Sequence, residues 1–304
     1  MRGSDHTGIE LSPPCISRDR SIDVRILITN DDGVFAPGIE ALARGLATEF
    51  DGVHELLVVA PLIDHSGAGA AVGSVYERES IPYETVQIPG LEHVPTYGVD
   101  GPPALAVILA CIEGFGPRPD MIVSGVNNGM NAGRSALHSG TVGAALTAAQ
   151  FGLRGVAVSI AWASDPVPWE TPVTLACNLV PVVAAADRGT VLNLNVPALP
   201  LPELRGVRHG ALGRVGLIRS VRSQETVDQV HARQAVAMGG AVTLALRGRG
   251  SDQAAEAAEI DADSDAGLVR DGWASLTPIL GVREDHSPAG TEVLAKALAE
   301  TKPR

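Results

Sequence analysis

Cysteine, aromatic residues and positive charge are all scarce in this chain of 304 residues. Three cysteines, Cys15, Cys111 and Cys177, are too few and too scattered for a disulfide framework or a Cys-rich zinc site, and they fit a reducing cytoplasm. Aromatic residues make up only 3%, so Trp162, Trp169 and Tyr97, which could stack on a flat ligand, read equally well as packing residues. Lys and Arg number 23 against 35 Asp and Glu, a formal net charge of -12. That balance excludes a surface built to grip a nucleic-acid duplex, because counterion release needs clustered basic residues. No apolar run reaches bilayer length before Gly, Pro or charge interrupts it, and the first two dozen residues lack a continuous apolar stretch. Neither a membrane span nor a secretory signal is expected.

The hydrophobic content, 45%, suffices for one large core. Residues 1–23 are polar, contain proline and show no sustained period, which predicts a disordered or loosely ordered extension ahead of a domain covering 24–304. Val24–Thr29 reads as a short buried strand stopped by Asn30-Asp31-Asp32-Gly33. A helix with Ile39, Leu42 and Leu46 on one face follows Pro37. Further apolar strands are expected at Leu56–Ala60, Met121–Val123, Val156–Ile160 and Val191–Val196, with helices at Ala104–Ile112, Val142–Ala149 and Thr171–Ala186. Strands without polar alternation, separated by helices, predict a doubly wound, mostly parallel α/β sheet covered on both faces. After Pro197 the pattern weakens. Residues 198–270, with a strand at Ala241–Leu246 and an acidic run over Ser251–Asp265, read as an extension or oligomerisation arm outside the central sheet, and a last helix is expected over Thr291–Glu300.

Ligands of open parallel sheets collect beyond the carboxyl ends of the strands. There the first strand delivers Asn30-Asp31-Asp32-Gly33, the second Asp64-His65-Ser66-Gly67, and the Met121 strand Ser124-Gly125-Val126-Asn127. An isolated Asp-Asp-Gly is more often a solvated turn. Three oxygen-rich loops on one edge shift the balance to a metal, since adjacent carboxylates are easiest to keep when a cation lies between them. An all-oxygen set selects Mg²⁺ or Mn²⁺ over thiolate-bound zinc. The run Gly125 to Gly133 reads as a loop whose backbone N–H groups form an anion nest, and Ser139-Gly140-Thr141 opens the following helix, where Ser139 caps it and free N–H groups favour an anion. Metal and anion cradle on one edge point to phosphoryl transfer to water, with Asp31 or Asp32 taking the proton. His65 and His138 lie in the same loops and read as neighbouring or surface residues.

These motifs, in order, resemble the SurE family, stationary-phase survival 5'/3'-nucleotidases. The likeness runs from Arg25 onward through Ile28–Gly33 with Ala36-Pro37-Gly38, Val59-Ala60-Pro61 with Ser66-Gly67-Ala68, Val123–Asn127 with Gly129 and Asn131, His138–Val142, Leu192–Pro197 and Gly272–Pro278. The resemblance implies that Asp31, Asp32, Ser66 and Asn127 hold one divalent ion, and that Asn131, Ser139, Gly140 and Thr141 surround the phosphate. It further implies a Rossmann-like core with a hairpin and C-terminal arm forming a homodimer or homotetramer, and a nucleoside monophosphate or similar small phosphomonoester as substrate. This chain departs from the family pattern at Gly101–Leu105 and Thr147-Ala148, which bears on substrate preference. A specialised phosphatase for a non-nucleotide substrate, or a non-catalytic nucleotide or metal binder, are the rival readings. A haloacid-dehalogenase-type phosphatase is excluded because Asn30 stands where its nucleophile is required, and Gly67-Ala68-Gly69 with Gly73 does not join strand to helix as a dinucleotide fingerprint must.

Overall fold

The run Arg25–Thr29 has no polar alternation because both of its faces are covered, and it forms strand β1 at the centre of a sheet. The computed structural model describes residues 24–214, 218–220, 244–246, 260–282 and 287–300. Strands β2 (Glu55–Pro61), β3 (Tyr83–Thr85), β4 (Thr96–Val99), β5 (Met121–Asn128), β6 (Arg154–Ile160), β7 (Val191–Val196), β8 (Val207–His209) and β11 (Ala274–Ile279) join it. The nine-stranded order is β3-β4-β2-β1-β5-β6-β7-β11-β8. Six strands, from β4 through β7 in that order, run parallel, whereas β3 and β11 pair antiparallel with their inner neighbours. β9 (Ile218–Ser220) and β10 (Leu244–Leu246) form a separate antiparallel pair.

Period-two alternation divides the core. Ile26 and Ile28 of β1 face helices α1 (Pro37–Glu49) and α4 (Glu170–Ala184), in a cluster with Ile39, Leu42, Leu46, Val173 and Val180. Leu27 faces the other side, against α2 (Pro103–Cys111) and α3 (Gly140–Gln150), with Val107, Val142 and Ala145. Helix α1 starts on Pro37 at its first turn, where the missing N–H costs nothing. Gly38 is required there, because a Cβ would sit 2.0 Å from the Val126 carbonyl oxygen of β5. The helix thereby begins in contact with the strand beside β1.

Two expectations are corrected. The sheet does not end at Pro197: β8 and β11 extend it, and β11 was missed because its run Ala274–Ile279 carries Ser275, Thr277 and Pro278 among its apolar residues. β5 also continues past Val123 to Asn128, with its register against β6 shifting between Ser124 and Asn127. Such irregularities re-aim side chains at strand ends. Residues α5 (Asp265–Arg270) and α6 (Pro288–Glu300) complete the described elements. The readings of residues 1–23, Ala241–Thr243 and Ser251–Glu259, and Cys15, lie outside the described residues. Among those described, no helix is long and apolar enough to cross a membrane.

Leu27 is fully buried on the α2/α3 side of the central strand. Leu27→Ala should cost about 2–5 kcal/mol, measured as a lower urea midpoint at unchanged slope; a loss under about 0.5 kcal/mol would mean that this face of the sheet is not close-packed.

Candidate active site

The chain leaves β1 toward β2 and β4 on one side and later builds β5, β6 and β7 on the other. The gap between β1 and β5 is therefore the topological switch point, where open α/β sheets bind ligands. Asp31 and Asp32 stand at its carboxyl edge. Their turn is shaped by Asn30, whose amide oxygen accepts from Gly33 N–H at 3.2 Å and whose Nδ2 donates to the Gly33 carbonyl at 3.0 Å. Asn30 is fully buried, so these bonds satisfy an amide that water cannot reach.

Asp31 is 3% exposed. Its Oδ1 accepts a 2.5 Å hydrogen bond from the Thr141 hydroxyl, and its backbone carbonyl accepts from His65 N–H at 2.7 Å. The backbone N–H groups of Gly140 and Thr141 also face the carboxylate. Gly140 can only be glycine at this distance: an added Cβ would lie 2.6 Å from Asp31 Cβ. Ser139 caps α3 as expected, its Oγ accepting from Val142 N–H at 3.1 Å. The start of α3 thus faces a carboxylate of the protein itself, which its partial positive charge favours.

Burial holds the Asp31 pKa above its ordinary value, with the Thr141 hydroxyl and the two helix N–H groups pulling the other way. Asp32 is pushed up to about 7, by burial first and then by the negative charges of Asp31 and Asp64, against a smaller opposing effect of Asn128 N–H. Among the described residues no Lys, Arg or His pairs with either carboxylate. Two crowded, desolvated anions without a cationic side chain fit a bound cation well.

The other expected ligands lie on the same edge. Ser66 is exposed in the loop after β2, where its N–H donates to Asp64 Oδ1 at 2.7 Å, and Gly69 N–H donates to the His138 carbonyl at 3.0 Å, joining that loop to the approach to α3. Asn127 occupies the end of β5 instead of a loop; its Nδ2 donates to the Gly129 carbonyl at 2.6 Å, leaving its amide oxygen available. A cation among these groups would meet carboxylate, hydroxyl and amide oxygens, a donor set for a hard ion.

The anion nest expected over Gly125 to Gly133 does not form in that manner. Gly129 N–H donates to the Ile160 carbonyl at 2.9 Å, Asn131 N–H to Asn195 Oδ1 at 2.8 Å and Gly133 N–H to Asp265 Oδ2 at 2.7 Å. Buried N–H groups take protein acceptors when these are in reach. Asn131 is held further by Asn193 Nδ2 and Asn195 Nδ2 on its carbonyl, at 2.8 and 3.3 Å, and by its own Nδ2 on Ser159 Oγ at 2.8 Å. Sequence reasoning missed the roles of Ser159, Asn193, Asn195 and Asp265. A signal existed for the pair in β7, since alternate asparagines in an otherwise apolar strand must find partners; none existed for Asp265, 132 positions from Gly133.

Of the aromatic candidates, Tyr97 stacks on Phe115 with ring centroids 4.6 Å apart, and Trp169 packs beside Gly38 at the start of α1. Trp162 differs. It is 55% exposed, and its neighbour Ala163 is clamped by the Asn128 amide, which donates to Ala163 O at 3.0 Å and accepts from Ala163 N at 3.1 Å. Asn128 N–H faces Asp32, and the clamp ties the segment after β6 to the end of β5. His138 is exposed and His65 half-buried, and Cys111 and Cys177 are buried free thiols.

A model of the survival protein SurE family matches residues 26–217. The chain belongs to the SurE family. The 5'-nucleotidase SurE of Symbiobacterium thermophilum is 37% identical over 258 residues, covering 84% of this chain and 91% of the relative. The 5'/3'-nucleotidase SurE of Cronobacter sakazakii is 37% identical over 187 residues, 61% of this chain and 68% of the relative. The crystal structure of the SurE protein from Aquifex aeolicus superposes with a TM-score of 0.62 at 24% identity, covering 90% of this chain and 99% of that one, and shows the same fold. The SurE family match includes β1, β2, β5 and the start of α3, so all the carboxylate site falls inside it.

Because both carboxyl pKa values are raised in the folded chain, the folded state holds protons more tightly than the unfolded one. The associated stability is complete below the ordinary carboxylate pKa and is lost as pH rises, for Asp32 through about 7. In chelator, Asp32→Asn should therefore match the wild type in thermal midpoint near pH 4 and exceed it by a growing margin toward pH 8. A margin independent of pH would remove the charge argument.

Proposed function

We propose that this chain is a divalent-metal-dependent phosphomonoesterase that hydrolyses nucleoside 5'-monophosphates, and 3'-monophosphates as well, to nucleoside and phosphate. The observation that carries this reading is the adjacent pair of buried Asp31 and half-buried Asp32 at the switch point, with no cationic side chain paired to either among the described residues, in a member of a family whose relatives include 5'-nucleotidases. Asp31, Asp32, Ser66 and Asn127 would hold one Mg²⁺ or Mn²⁺. That ion supplies charge neutralisation at a phosphoryl oxygen and a lowered pKa for a bound water.

The chain's own groups do the remaining work. A phosphate dianion approaching two carboxylates on a protein of net charge -12 is repelled, so it depends on neutral donors around it. Asn131, Ser139, Gly140 and Thr141 surround it in this reading, with the Ser139 hydroxyl, which accepts from Val142 N–H, and the second hydrogen of Asn131 Nδ2 as the donors, because the Thr141 hydroxyl and the α3 amides are turned to Asp31. Thr141 and the α3 amides fix Asp31, which leaves Asp32 to accept the proton of the attacking water. Attack of that water's oxygen on phosphorus breaks the bond to the ester oxygen, which takes up a proton from solvent as the alcohol leaves, while Asp32 returns the proton it accepted to solvent. In this reading the exposed Trp162, in the segment clamped to the end of β5, is the aromatic residue for contact with a base, which would favour a nucleoside ester over an aliphatic one. The protein acts in the cytoplasm as a homodimer or homotetramer, for which the exposed Val293 and Leu294 of α6 supply apolar surface.

Phosphate release from a panel of nucleoside 5'- and 3'-monophosphates, an aryl phosphate and glycerol phosphate, with Mn²⁺, Mg²⁺ or chelator, tests the proposal. Turnover should require the ion, and Asp32→Asn should lower kcat at least about 100-fold. Gly140→Ala, which pushes on Asp31, should lower kcat about 10-fold or more while the protein stays folded. Metal-loaded, folded protein that releases phosphate from none of the nucleotides would end the nucleotidase reading.

A further inference from the structure

A second buried carboxylate, Asp265, lies far along the chain from the Asp31-Asp32 pair. Asp265 is 0% exposed, and among the described residues no basic side chain pairs with it. Neutral backbone N–H groups satisfy it: Oδ2 accepts from Gly133 at 2.7 Å, and Oδ1 from Gly213 at 3.1 Å and Ala266 at 2.8 Å. Three segments of the chain therefore converge on one carboxylate. Its position is fixed by its own N–H, donated to the Ala211 carbonyl at 2.8 Å, by Ser264 capping the turn that follows, and by Gly210, where a Cβ would lie 2.7 Å from Asp265 Cα.

Burying a charge without a counterion is costly, and a neutral side chain would tether two segments at lower cost. What a carboxylate provides is acceptance at both oxygens. Asn offers one acceptor and one donor, and its amide N–H would oppose a backbone N–H wherever it pointed. The geometry thus selects Asp for a site where donors arrive on both sides.

One of those donors belongs to the phosphate side of the site. Gly133 lies two residues after Asn131 and begins the 3-10 turn Gly133–His138 that leads directly into Ser139 and α3. Asn131 is already anchored from β6 and β7, by Ser159, Asn193 and Asn195. Between Asn131 and Ser139, Asp265 supplies an anchor from the C-terminal part of the chain. We propose that Asp265 is a positioning residue for phosphate binding: it holds the Asn131–Gly133 segment at the distance from α3 that the phosphoryl group requires. The proposal rests on the reading above that Asn131 lies beside phosphate.

Asp265→Asn separates this role from a general tether. Two donors meet at Oδ1 and one at Oδ2, so the single remaining carbonyl turns toward Gly213 and Ala266, and Gly133 is the partner released. In the full-length, Mn²⁺-loaded variant, KM for adenosine 5'-monophosphate and Ki for inorganic phosphate should each rise about 10-fold. kcat should change less than about 3-fold and the Mn²⁺ concentration for half-activation should not move, because Asp31 and Asp32 are held by other contacts. Unchanged KM and Ki would overturn the proposal, as would a joint fall of kcat, metal response and thermal midpoint. Hydrogen exchange on the wild type is the companion measurement, valid even if the variant does not fold: the Gly133 amide should be as protected as those of β5, and exchange at the rate of an open loop overturns the contact itself. Absence of nucleotide turnover in the wild type would instead remove the nucleotidase reading, leaving the exchange result to judge the anchor.

Discussion

Everything at the carboxyl edge of the sheet is arranged around the burial of one carboxylate, Asp31. Its oxygen receives the Thr141 hydroxyl, the first amides of α3 face it, and its backbone carbonyl receives His65 N–H. Strand β1, the loop after β2 and the start of α3 are thereby tied to one residue. Gly140 follows from this: the helix can approach so closely only because no Cβ stands between it and Asp31. Burial also sets the electrostatics, since taking Asp31 and Asp32 out of water together is what makes a cation the natural occupant of the gap beside them.

The sequence made the parallel core legible because its strands are apolar on both faces and its helices carry one apolar stripe. Val191–Val196 agrees end to end, and Ile39, Leu42 and Leu46 are all fully buried. Short or polar pieces were not legible. Tyr83–Thr85 and Thr96–Val99 are too brief to show a period, and Ala274–Ile279 mixes hydroxyls and proline into an antiparallel strand. Asp31, Asp32, Ser139, Gly140 and Thr141 could be placed on one edge from the strand-turn-helix order alone. That Thr141 bonds to Asp31 could not, because nothing local encodes a contact across 110 positions.

The interior behind the phosphate side is polar as well as apolar. Asn193 and Asn195 are fully buried, yet both aim at the backbone of Asn131, where a leucine pair would have served the core alone. Together with Asp265 they hold a non-repetitive segment by its main chain, a stiffer constraint than side-chain packing. The expected anion nest failed for a related reason: the N–H groups of Asn131 and Gly133 are committed to Asn195 and Asp265, and that of Gly129 to the Ile160 carbonyl.

The strand order carries a consequence for how the protein is made. β1 lies between β2, its successor, and β5, which pairs with it only after two further strands and a helix have been laid down. A nascent chain that has built β1, β2 and β4 holds both aspartates and none of the α3 groups that receive them. The charged pair spends that interval in water, at low cost, and becomes crowded only when the second half of the sheet closes beside it. The site is thus a property of the two halves of the sheet joined, and no amino-terminal fragment that stops short of α3 contains it.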